Sequence, residues 1–232
     1  MLSRRMRTHW ILLALLLTCS AAAAETIVPR EWLLIGAVNT RGRRPFNPDA
    51  IFQRYLLDRD AKPPVEGEKV EGEEGRADSW KSVIADESGQ VKARARYAYT
   101  KVRSERAMVA LARLPGGGSL FVNGDAFVGD IYGNHRVGVP VALRAGDNHI
   151  FVRGTRGSFR LELEPVAEGL VLAASDATLP DLVAGQDYAG EGSVVVVNAS
   201  PRPVEAVLLT VEPPVTGGWD GAPEGLVPLG LR

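Results

Sequence analysis

The fold is decided by residues 119–163, which read SLFVNGDAFVGDIYGNHRVGVPVALRAGDNHIFVRGTRGSFRLEL. Apolar residues occupy every second position in several short runs, the pattern of strands with one buried face. Asn123-Gly124 and the segment 144–148 separate these runs and supply residue types that accept the positive φ of tight turns. The stretch predicts one edge of an antiparallel β-sandwich and does not have the pattern of an active site.

Similar signals extend toward the N-terminus. Apolar or alternating runs predict strands at residues 32–38, 80–84, 91–102 and 107–114, with Tyr97 and Tyr99 facing the core. With the strands of 119–163 this gives roughly eight strands at the spacing typical of an all-β sandwich or jelly roll. We predict an all-β fold with a jelly-roll β-sandwich over residues 30–165.

Two segments between these strands have a different composition. Asn47 followed by Pro48 resembles a helix cap, and the apolar spacing behind it predicts a short amphipathic helix from about Pro48 to Leu57. Residues 58–78 are polar and rich in glutamate, glycine and proline, which indicates an exposed connection.

A second unit is expected after residues 164–169, a Pro- and Gly-containing boundary. Residues 170–173, 194–197 and 204–211 are typical of strands and suit the first half of an immunoglobulin-like sandwich. Such a domain needs ~100 residues, so residues 169–232 are expected to be an incomplete immunoglobulin-like domain.

The N-terminus has the pattern of an export signal. Arg4, Arg5 and Arg7 precede the short apolar run 10–17 and the alanines 21–24, which predicts a signal peptide over residues 1–24 with cleavage after Ala24. The mature chain is then secreted or periplasmic, with no transmembrane segment. Two alternatives are lipid attachment at Cys19, for which Thr18 is a poor match, and a twin-arginine signal.

Composition excludes several classes of protein. The formal net charge is −1 and charges of both signs are mixed, so no basic stripe for nucleic acid is present. Cys19 is the only cysteine, so the mature chain has no disulfide and depends on its apolar core, for which 45% hydrophobic residues suffice.

The residues needed for catalysis or metal binding are sparse. No Gly-x-Ser-x-Gly occurs, and His135 and His149 are the only histidines outside the signal. No ligand spacing for zinc or an EF-hand calcium site is found, and the glutamates of 66–74 are interpreted as a solvated loop. We therefore expect no metal, no cofactor and no catalytic residues.

One segment between two predicted strands, residues 127–135, is rich in residue types that bind sugars, and we call it the crossing. A sugar site needs an exposed aromatic ring with amides or carboxylates beside it, and the candidates are Phe127, Asp130, Tyr132, Asn134 and His135. The alternative interpretation is that Phe127 and Tyr132 close the end of the sandwich. Arg153, Arg156 and Arg160 offer a weaker candidate for an anion, against the ordinary role of covering apolar edges.

The chain resembles a known class of module at residues 32–36, 80–83, 121–124, 129–133 and 144–148, which read WLLIG, WKSV, FVNG, GDIYG and RAGDN. It is similar there to the galactose-binding-like jelly-roll modules of exported bacterial hydrolases. Such modules precede an α/β-hydrolase or prolyl-oligopeptidase-like serine peptidase domain. The resemblance covers about residues 30–165 and implies an accessory module whose catalytic domain lies beyond this chain.

Two functions remain open from the sequence. The first is an exported, non-catalytic accessory β-sandwich, the N-terminal part of a secreted hydrolase or peptidase. The alternative is a carbohydrate-binding module acting on a polysaccharide or glycan. The partner is accordingly a C-terminal hydrolase domain or a glycan, and a Gly-x-Ser-x-Gly in the coding region beyond Arg232 would support the first.

Overall fold

The computed structural model describes residues 25–38, 49–134, 138–166, 169–178, 191–200, 202–209, 211–212 and 230–231. Its regular elements within those ranges are one α-helix, a short 3₁₀ helix at Glu73–Gly75 and fifteen strands. They are β1 Glu31–Ile35, α1 Ala50–Tyr55, β2 Lys69–Glu71, β3 Ala77–Ser79, β4 Lys81–Ile84, β5 Tyr97–Ser104, β6 Met108–Arg113, β7 Gly117–Val122, β8 Asp125–Val128, β9 Val139–Leu143, β10 Gly146–Thr155, β11 Glu162–Pro165, β12 Leu170–Thr178, β13 Ser193–Asn198, β14 Val211–Glu212 and β15 Gly230–Leu231.

Two antiparallel sheets form the main body. The larger has six strands in the order β4-β1-β5-β10-β7-β8, and the smaller has three in the order β11-β6-β9. Apolar side chains from both sheets meet between them, because alternate residues of each strand point to the same side. This interior contains Trp32, Leu34, Val102, Ala110, Ala112, Leu120, Val122, Val141, Leu143, Ile150, Val152 and Leu163. The prediction of an all-β sandwich is confirmed.

The larger sheet is buried on its second face as well, which the sequence did not predict. Tyr97, Tyr99, Phe121 and Phe151 point away from the sandwich interior and form a separate apolar cluster. Helix α1, the β2–β3 hairpin and the residue that follows each of them cover this cluster with Ile51, Tyr55, Leu56, Val70 and Trp80. We call it the second core. Tyr97 and Tyr99 are buried as expected, but in this layer instead of between the sheets.

The helix begins later than its sequence suggested. Asp49 is the N-cap, and its Oδ1 accepts the N–H of Phe52 at 2.9 Å. The predicted cap, Asn47, and Pro48 lie outside the described residues. The same buried carboxylate accepts a hydrogen bond from the Tyr97 hydroxyl at 3.1 Å, so the cap also ties the helix to the sheet.

Two predicted boundaries are wrong for identifiable reasons. Residues 58–78 are not all exposed connection, because Val70 anchors the β2–β3 hairpin in the second core. The strand expected from residue 91 begins at Tyr97. Before it, the chain forms a single bridge from Val91 to Phe159, and Thr155 Oγ1 takes the N–H of Ala95 at 2.8 Å.

Two tight turns close one end of the larger sheet. Asn123 and Gly124 both have positive φ, 51° and 89°, and join β7 to β8. Asn148 is fully buried and holds the turn before β10: its Oδ1 accepts the N–H of Arg144 at 2.8 Å, and its Nδ2 donates to the Arg144 and Gly146 carbonyls. The Asn123 amide donates to Asn148 Oδ1 at 2.8 Å and joins the two turns.

The region after Gly169 contains less regular structure among its described residues. Strands β12 and β13 pair antiparallel, and β14 pairs with β15. The strand predicted at 204–211 is wrong over residues 204–209, which have no strand and are exposed; Leu208 is 91% exposed. No described strand pairs with this stretch. The expectation of an incomplete immunoglobulin-like domain here stays a prediction.

Candidate functional site

The crossing from β8 to residue 134 contains four of the five predicted site residues within the described structure; His135 lies outside it. Phe127 is half-buried and packs against the sandwich interior. Its ring therefore contributes to packing and offers little surface for stacking on a ligand.

Asp130 organises the backbone of the crossing. The residue is 6% exposed, and its Oδ1 accepts the N–H of Asn134 at 3.0 Å. Its carbonyl accepts the N–H groups of Gly116 and Gly133, at 2.8 and 3.1 Å. A carboxylate used in this way shapes the turn.

Tyr132 and Asn134 lie at the surface of the crossing. Tyr132 is 74% exposed, and the guanidinium carbon of Arg156 lies 5.2 Å from the centre of its ring, within the range of a cation–π contact. The structure thus divides the predicted set: Phe127 and Asp130 support the fold, and Tyr132 and Asn134 face outward.

The three arginines considered for an anion contact different partners. Arg160 pairs with Glu162 at 2.7 Å, and Arg156 lies over Tyr132. The Arg153 guanidinium lies 3.9 Å from the buried carboxylate of Asp49 and 5.8 Å from the centre of the Tyr97 ring. They do not converge on one point.

Among the described residues no group of three histidine, cysteine or acidic side chains is arranged to hold a metal ion. In the acidic loop, Glu68 pairs with Arg54 and Glu71 with Lys69. The described part of the chain likewise contains no helix with the length and hydropathy of a membrane span.

A small cleft, which was not predicted from the sequence, lies at the end of the second core. One wall is the end of α1 and the loop after it, with Tyr55, Asp58 and Arg59. The opposite wall is the Asn123–Gly124 turn together with Arg144, His149 and Phe151. The cleft has a volume of about 50 Å³. We call it the His149 cleft.

The sheet register places His149 beside Tyr99 in the second core. The Tyr99 hydroxyl lies 2.8 Å from His149 Nδ1, and the two rings stack 6.0 Å apart with 16° between their planes. Burial raises the pKa of Tyr99 to about 12, so the phenol keeps its proton at neutral pH. No other acceptor within the described chain contacts this hydroxyl, so we assign it as the donor to Nδ1, which puts the proton of the neutral imidazole on Nε2.

The charge of His149 is set by burial and by three neighbours. Burial is the main reason that the pKa of the His149 imidazole lies below its ordinary value. The carboxylate of Asp147 opposes that shift, and the cations Lys101 and Arg144 reinforce it. The ring is therefore neutral at pH 7 and presents one N–H donor.

A second, more apolar cavity of about 260 Å³ lies between the smaller sheet and residues 199–200. Met108, Val109, Leu143 and Val166 contribute to its lining, and Arg106 lies at its edge. The Val166 N–H donates to the Val109 carbonyl at 2.9 Å and fixes one side of the cavity.

Comparison of the chain with protein-family models, with curated proteins and with solved structures found no match in any of the three.

Proposed function

We propose that this chain is an exported, non-catalytic β-sandwich module that serves a secreted hydrolase or peptidase as a spacer or partner surface. One observation carries the proposal: the buried polar side chains of the main body hold strands and turns in place. Asn148, Asp49 and Thr155 each hydrogen-bond to the backbone of a neighbouring segment. Side chains committed in this way stabilise a rigid body and leave few groups for chemistry.

The covering of the larger sheet on both faces supports the same proposal. Strands β5 and β10 lie in the middle of that sheet, between the sandwich interior and the second core. Enzymes generally place reacting groups in a concave site. Here the sheet centre is packed with aromatic rings, which suits a module that resists distortion while presenting its surface.

The first test is a search for turnover by the mature chain, residues 25–232, on chromogenic esters, peptides and aryl glycosides. The proposal expects rates equal to those of buffer. A rate that exceeds buffer and is lost in His149→Ala would establish an enzyme and refute the module assignment.

The link to a hydrolase is tested separately by the coding region beyond Arg232. We expect a Gly-x-Ser-x-Gly within the following few hundred codons. A stop codon directly after Arg232 would argue against a hydrolase partner in the same polypeptide.

A second candidate function, carbohydrate binding, is favoured by Tyr132. An exposed ring beside an arginine and an exposed asparagine offers a stacking surface with hydrogen-bonding groups at its edge. A polysaccharide pull-down comparing the mature chain with Tyr132→Ala tests it, with Val65→Ala as the control because that residue is also exposed. If the Tyr132→Ala variant is retained on the polysaccharide as well as the unmutated chain, the crossing is not the binding site.

A further inference from the structure

We propose that the His149 cleft binds the carboxylate of a small molecule, held by the Arg144 guanidinium and by the N–H of His149 Nε2. This site is separate from the crossing that contains Tyr132, and it does not depend on the proposed function. Three features of the cleft favour a carboxylate: its donors, its charge and its size.

The donors of the cleft face no acceptor of their own. The Arg144 side chain is exposed and forms no hydrogen bond or ion pair with the residues that the structure describes. In His149, Nδ1 is taken by Tyr99, and Nε2 has no hydrogen-bond partner in that same part of the chain. One guanidinium and one imidazole N–H on the same wall can each donate to one carboxylate.

The charge of the lining favours a monoanion. Arg59, Arg144 and Asp58 are the charged side chains that line the cleft, and the Asp58 carboxylate accepts the backbone N–H of Asp60 at 2.9 Å. Arg59 is paired with Asp125 across the rim, so Arg144 supplies the unmatched cation. A phosphate dianion ordinarily requires more positive charge or a nest of backbone N–H groups.

The size of the cleft limits what enters it. The cleft volume of about 50 Å³ is three to five times the ~10–15 Å³ that a cavity needs to hold one water molecule, so it accommodates a group of about three or four heavy atoms. A carboxylate has that size, and the remainder of the ligand extends from the mouth of the cleft into solvent.

The test is a titration of the ¹⁵N-labelled mature chain, followed by the amide signals of Asn123 and Gly124 and the imidazole signals of His149. Acetate and glucuronate are the carboxylate probes, and acetamide and glucose are their neutral counterparts. We expect saturable shifts with both carboxylates and none with the neutral compounds. Affinity for glucuronate at least tenfold above that for acetate would show that the site recognises an acidic sugar. Equal affinities would show that it recognises the carboxylate group alone.

Matched variants assign the donors. Arg144→Gln should weaken carboxylate binding at least tenfold, and His149→Gln several-fold. Arg103→Gln is the control, because Arg103 is exposed on the same sheet face and does not line the cleft; its guanidinium lies 3.9 Å from Asp147. The affinity of this variant for the carboxylate probes should change less than twofold. Tryptophan emission confirms that each variant is folded.

Several results would overturn the assignment. No saturable shift at tens of millimolar acetate or glucuronate, or equal binding of acetamide, would exclude a carboxylate site. Binding that survives Arg144→Gln would place the carboxylate elsewhere, and tighter binding of inorganic phosphate would show that the ligand class is wrong.

Discussion

Removal of the Asn148 side chain should destabilise the main body strongly, because this amide fills four hydrogen-bonding roles at one end of the larger sheet. It accepts from the Asn123 amide and the Arg144 N–H and donates to the Arg144 and Gly146 carbonyls. A net contribution of about 0.5–1.5 kcal/mol per hydrogen bond gives about 2–6 kcal/mol. Arg144 is exposed and Asn123 half-buried, so water reaches part of the vacated partners, and we expect Asn148→Ala to cost about 3 kcal/mol.

Urea unfolding followed by tryptophan emission measures this cost. Trp32 lies in the sandwich interior and Trp80 in the second core, so one signal reports on both apolar clusters. Asn134→Ala is the control, because its side chain is exposed and the free energy of unfolding should change by less than about 0.5 kcal/mol. A loss below about 1 kcal/mol for Asn148→Ala would refute the reasoning, since it would mean that solvent replaces the amide at little cost.

Three further outcomes follow from backbone conformation, ionisation and packing. Gly116→Ala should lower the free energy of unfolding in urea by about 3 kcal/mol or more, because φ is +83° and a Cβ would lie 2.1 Å from the Ser158 carbonyl oxygen. Gly133→Ala should lower it by only about 1 kcal/mol, because φ is +68° but no atom lies near the added Cβ. The neutral Tyr99 phenol stabilises the fold below pH 10, its unfolded-state pKa, and this contribution is lost as pH rises toward its folded-state pKa of about 12. The free energy of unfolding in urea should therefore fall by about 1 kcal/mol more between pH 9 and pH 11 in the wild type than in Tyr99→Phe. Phe127→Ala should lower the free energy of unfolding by about 2 kcal/mol, and an unchanged value would show that the ring does not pack.

The sandwich could be predicted from sequence because each strand shows the alternation of apolar residues that is typical of a half-buried strand. In β7 and β10 the apolar residues alternate, and Asn123-Gly124 marks the turn after β7. These signals are local: they depend on residues close together in the chain, and they survive without knowledge of the partner strand.

The second core could not be predicted, because its cover is made of short segments with weak patterns. Val70 is the one buried residue in β2, between exposed Lys69 and Glu71, and three residues are too few to show a period. Tyr97 and Tyr99 were expected to be buried, but strand parity does not say which layer covers a face.

The His149 cleft was missed for a related reason. The contact between Tyr99 and His149 depends on the register of β5 against β10, in which Tyr99 lies opposite Phe151 and Lys101 opposite His149. From sequence, His149 is a strand residue beside apolar neighbours. Only the register of the two strands brings the Tyr99 phenol to the His149 imidazole, in the cleft that Arg144 also lines.

The order of strands in the larger sheet sets the time at which a growing chain can fold. Strand β10, at residues 146–155, is the only link in that sheet between β5 and β7, and the bridge from Ile27 to Leu163 joins the ends of the main body. Contacts this distant in sequence form slowly, since the intervening chain must first give up its freedom. During synthesis of its first 140 residues the polypeptide lacks the strand that unites its sheet, so β5 and β7 have no shared partner until residues 146–155 have been made.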